Sequence, residues 1–243
     1  MTASNTRHLP AGYEDFARYA FPPNELGYCG PSDGRLLDGS ATDLARHARA
    51  FDGAWPYLDA IAEAAGVDDP LDADVVDTYW IGGRLLHEVD PDSLLARLRA
   101  AFTGQVTGIL DELGTGQAVA HHSFHVFAVY PWIRFLDRDP VKPVQVMQDC
   151  RIRWGTVQAV RGDQVVLASR PLTFVDGTLA LGEPVEDLAR WRRDGAALAP
   201  RPVPGRTVSA HWEWVCGTLS DDQTEALDTA TRMTLDLVNA ARR

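Results

Sequence analysis

The chain has 243 residues, 45% hydrophobic and 23% charged, the balance of an ordinary soluble protein with one large domain or two modest ones. Its formal charge of −11 excludes nucleic acid or an anionic membrane as the main partner, since either would be repelled. There is no bilayer-spanning apolar run, no signal-peptide core and no disulfide framework, so Cys29, Cys150 and Cys216 are expected as reduced thiols in the cytoplasm.

After an irregular start, a short helix is expected around Tyr13–Tyr19. The stretch from Phe21 to Pro31, with Pro22, Pro23, Gly27 and Gly30, forbids a regular helix and reads as an ordered loop that packs on the core or delivers Cys29 to a site. From Thr42 to Leu136 the pattern is helical. Thr42 caps a helix through Phe51, and Trp55-Pro56 begins one that runs to Ala65. A third covers residues 72–89, where Gly82-Gly83 implies a kink or a close crossing. A fourth runs from Leu94 to Phe102 and resumes after Gly104 to Leu113. The fifth, Ala118 to Leu136, is apolar nearly all round, as in a buried helix, and Pro131 kinks it near its end.

That fifth stretch carries His121, His122 and His125. On a helix His121 and His125 share one face, and His122 and His125 are i,i+3 neighbours, so either pair can hold a metal from one side. Cys29 or His87 is the expected further ligand. Imidazole suits iron, zinc, nickel or copper alike, and the zinc-protease signature is absent because no Glu lies between the histidines. The alternative is a set of buried histidines hydrogen-bonded to neighbouring helices, since imidazoles buried without partners are costly.

Residues 137–146, with Pro140 and Pro143, read as an extended linker between a helical domain (1–140) and a second domain (146–243). Cys150 opens a strand, Gly155 interrupts it where a barrel wall can bend, Gly162-Asp163 turns, and Val165-Val166-Leu167 returns antiparallel. Short strands follow around 173–174 and 179–181, then an amphipathic helix over 183–194. Ser220-Asp-Asp-Gln223 is a capping box for a last helix whose inward stripe is Leu227, Ala230, Thr231, Thr234, Leu235 and Val238. The fold class is thus α+β: an all-helical N-terminal domain, then a small β-barrel with a C-terminal helix.

The cysteine strand, the hairpin, the segment Pro204-Gly-Arg-Thr-Val-Ser-Ala-His211 and the terminal helix, in that order, resemble the HypC-like family of small nickel–iron hydrogenase maturation chaperones. The resemblance covers roughly the last two-fifths of the chain. It departs from the family in two places. The family cysteine follows the initiator Met and becomes the mature N-terminus, whereas Cys150 is internal, and Arg153-Trp154 replaces an apolar-Pro pair.

The resemblance implies a cytoplasmic accessory factor for hydrogenase assembly. It would bind iron or an iron–diatomic fragment through Cys150 and His211 and contact the hydrogenase large subunit or maturation proteins. Arg151 and Arg153 are expected to favour the Cys150 thiolate. The alternative is an enzyme that uses iron, or haem, at His121, His122 and His125.

Overall fold

The computed structural model describes residues 9–32, 36–37 and 39–243, so part of the irregular start lies outside the described residues. The fold is α+β, with helices in the N-terminal half, a closed five-stranded barrel and a long C-terminal helix. Among the described residues no helix is long and apolar enough to cross a membrane.

The first helix, α1 (Ala11–Glu25), does not stop before the prolines but carries Pro22 and Pro23 buried in its last turns. Ser40, rather than Thr42, caps α2 (Ala41–Arg49), with Asp43 completing a capping box. Then come α3 (Trp55–Ala65) and α4 (Ala73–Trp80). Gly82 and Gly83 take positive φ, and a Cβ on Gly82 would stand 3.1 Å from the Ala226 carbonyl of the C-terminal helix, a close crossing. Next is α5 (Pro91–Ala101); no helix resumes over 105–113.

The apolar stretch 118–136 is not one helix. His121 is extended, α6 (His122–Phe124) runs into a π-helical turn (His125–Val129), and Pro131 starts a separate 3-10 turn. Pro131 has no N–H for the carbonyl of Phe127. Gly108 and Ile109 claim the carbonyls of Val129 and Ala128, which keeps the helix from continuing, and the last ring is the wider one from Tyr130 N–H to His125 O at 2.7 Å.

The expected linker is also helical: α7 (Val141–Cys150) begins after Pro140 and holds Pro143 in its first turn. The first-turn N–H groups lack intrahelical partners, so proline costs little there. Buried Pro143, Val146, Met147 and Cys150 recur at helical spacing. Cys150 therefore ends a helix rather than opening a strand.

The barrel closes in the order β1 (Arg153–Arg161), β2 (Gln164–Ser169), β5 (Val185–Arg190), β7 (Trp214–Thr218), β6 (Thr207–His211) and back to β1. Gly155 lies where β1 pairs with both β2 and β6, and a Cβ there would meet the Ala168 carbonyl at 2.7 Å. Residues 185–190 pair with all of β2 as a strand, not a helix; Val185 and Leu188 face solvent, so their helical spacing misled. The hairpin β3 (Leu172–Val175) and β4 (Thr178–Leu181) stands apart, tied to α8 (Asp221–Ala241) through Asn239.

A small core of Val157, Val165, Leu167, Ala189, Val208, Ala210 and Val215 fills the barrel. A second, continuous core joins the helices to one end of it, taking in Trp212, Cys216 and the inner face of α8. The stripe expected on α8 is the buried one.

Candidate metal centre

The seam between helices and barrel gathers one residue from each of three elements. A ring nitrogen of His122, the Sγ of Cys150 and a ring nitrogen of His211 lie within 4.8 Å of one another, all buried. They line a cavity of about 20 Å³, ion- or water-sized, with Cys29, Gly53, Trp80 and His125 among the other walls.

His211 ends β6 and is held from both sides. Pro23 cannot donate to the Tyr19 carbonyl four residues back, and that carbonyl accepts Nδ1–H of His211 at 2.7 Å. The lone pair is thereby left on Nε2, which is buried without a hydrogen-bond partner. Tyr19 also bonds Ser209 of β6 through its hydroxyl at 2.8 Å and stacks on Trp80. On the other side, Trp212 adopts φ 50°, a genuine outlier for so large a residue. In that conformation its N–H reaches the Asp149 carbonyl at 2.8 Å and its carbonyl accepts from Arg153. The turn after His211 is thus fastened to the residue before Cys150.

His122 is held just as closely. Its Nε2–H donates to the Cys150 carbonyl, an unpaired C-terminal carbonyl of α7, at 2.8 Å. Its Nδ1 stands 3.0 Å from the Tyr79 hydroxyl, which donates to the Gly53 carbonyl at 2.7 Å. Binding a metal through Nε2 of His122 would cost the bond to the Cys150 carbonyl, whereas His211 Nε2 has no hydrogen bond to give up.

Burial sets the protonation states. It pushes the Cys150 thiol well above its ordinary value, reinforced by Cys29 and Asp149. The expected help from the arginines is absent. Arg151 turns to Gln148 and the Arg170 carbonyl, and Arg153 to Asp187 at 2.7 Å and Trp212. Burial and neighbouring His122 push His211 well below 6.5, and burial takes His122 to about 4. Both imidazoles are neutral at pH 7, their state as metal ligands.

The other expected ligands are dispersed. His121 caps α6, its Nδ1 accepting the Ser123 N–H at 3.1 Å, and Ser123 bonds Thr234 on α8. His125 lines the cavity with its ring 6.4 Å from that of His122 but lies outside the three-donor set, as does Cys29. His87 is exposed on another face. Tyr19, Tyr79 and Trp80 carry no sequence signal for this role, and the one at Pro23, a proline pair, points to a helix stop rather than to a freed carbonyl.

The chain belongs to DUF6390, a family of unknown function. The family match spans residues 8–243, and so takes in both the helices and the barrel. No curated protein and no solved structure matches the chain. The His–Cys–His cluster is of a kind that can hold a metal ion.

Proposed function

We propose that this protein is an accessory factor for nickel–iron hydrogenase assembly that carries iron, or an iron–diatomic fragment, on Cys150 and His211. One observation supports this above the others. The two residues singled out by resemblance to the HypC-like chaperones, one at the end of α7 and one at the end of β6, converge on one cavity, and His211 presents a lone pair with no other partner. A thiolate with one or two imidazoles suits iron. Where the family has a free cysteine N-terminus, this chain has a helix end whose carbonyl holds His122 in place. The hydrogenase large subunit or another maturation protein is the partner this reading requires.

The second reading, an iron enzyme centred on the helical histidines, draws on His122 and His125 lining one cavity beside an open cleft. The ion-sized cavity at His122 favours a bare iron over haem in this reading.

Metal analysis after anaerobic purification tests the proposal. Wild-type protein and Cys216→Ser should carry iron, and Cys150→Ser should lose it and fail to support hydrogenase activity in cells lacking the native protein. If Cys150→Ser retains iron and full activity, the delivery reading fails. Loss of iron on replacing His125, with Cys150→Ser unaffected, would favour the enzyme.

A further inference from the structure

A cleft of about 320 Å³ opens to solvent on the far side of Cys29, Gly53 and His125, which it shares with the metal cavity. Rings of Tyr28, Phe102 and Tyr130 contribute to its walls. Two of these extend a ring cluster about His125, with centroids 5.6 Å away for Phe102 and 5.9 Å for Tyr130. Asp52 is the one charged side chain among the described lining residues, and no Lys or Arg faces it there. A carboxylate or phosphate would meet Asp52 with nothing to pair with.

We infer that this cleft is a binding site for an ammonium or guanidinium group, held by the Asp52 carboxylate and the aromatic rings of Tyr28, Phe102 and Tyr130. Aromatic faces attract organic cations through the ring quadrupole, and a carboxylate adds a directional, charge-assisted partner. The chain's charge of −11 adds a long-range attraction of the same sign. The volume suits a small molecule or one long side chain. The cation can therefore be a free amine or guanidine, or a Lys or Arg side chain of a partner. The cleft stands independently of the metal reading, because none of its cation-binding groups is a proposed ligand.

The test is calorimetric or NMR titration of metal-free, full-length protein with n-butylguanidinium and n-butylammonium. Neutral n-butylurea and anionic pentanoate serve as shape controls. The cations should bind, and n-butylurea should bind about tenfold more weakly or not at all. Asp52→Asn, an exposed substitution, and Tyr130→Leu should each weaken the cations several-fold, with the circular-dichroism melt confirming folded protein. Free arginine against a blocked Ala-Arg-Ala peptide separates the sources. Tighter peptide binding assigns the group to a partner chain, and tighter arginine binding to a free metabolite. Equal binding of n-butylurea, or cation binding unchanged in Asp52→Asn, or none by wild type, would overturn the inference. Asp52→Asn should retain Cys150-dependent iron, so failure here is distinguishable from failure of the metal reading.

Discussion

A proline at position 23 removes the one N–H that an α-helix would direct at the Tyr19 carbonyl, and His211 takes that acceptor instead. Pro23→Ala restores the competing donor and improves helix propensity. The variant should melt no lower than wild type yet bind iron roughly tenfold or more weakly, as when a residue orienting a ligand is lost. Equal iron affinity would show that Tyr19 does not orient His211. The Cys150 thiol gives a second expectation at this scale. With both histidines neutral and the thiol protonated, loading a divalent metal at pH 7 should release about one proton, and affinity should rise with pH through neutrality. Calorimetry in buffers of different ionisation enthalpy measures this, and zero release would mean that a thiolate is already present. Cys150 and His211 were visible in the sequence through the resemblance, and His122 through the density of histidines. Tyr19, Pro23 and Tyr79 were not, because two of them act through backbone carbonyls and the third through a contact 43 residues away.

Elements whose patterns agree with their surroundings were readable, and those overruled by tertiary hydrogen bonds were not. Helix α8 carries its own capping box and stripe, so local and global preference coincide. Ser220→Ala removes the side-chain bond to the Gln223 N–H and should cost about 0.5–2 kcal/mol in urea unfolding, with an unchanged m-value. A smaller loss would mean that the packed stripe alone holds the helix end. Strand β5 and the π turn are the opposite case. Residues 185–190 have helical spacing but are captured by the open edge of β2, and 125–129 lose helical carbonyls to Gly108 and Ile109. Helix α7 escaped notice for another reason: its prolines look the same in a linker as in a first turn, and only the register of Val146, Met147 and Cys150 separates the two.

Over the whole molecule, acid should be the weak side. His121 and His125 are held near 3 and His122 near 4 by burial, and His211 lies well below 6.5. Each stays neutral in the fold but charges in the unfolded chain at about 6.5, so its contribution is complete above that pH and declines as pH falls towards 4 and then 3. Asp77, raised to about 6 by burial, works against this trend, gaining stability as pH falls from 6 towards 3.8, and Asp15 and Asp149, also raised by burial, act in the same sense. Four histidines outweigh the three aspartates, so the urea midpoint should fall steadily from pH 6.5 to 4, with a net uptake of protons on unfolding. A flat profile over that window would contradict the buried, neutral histidines.

The bond between Tyr19 and His211 joins residues 192 positions apart, and so sets a calendar for the nascent chain. The ribosome releases the Cys150 thiol while β6 is still untranslated. Until that strand reaches α1, the cysteine has only His122 beside it, and whatever the three donors hold together can be held only once His211 has been made and has folded back.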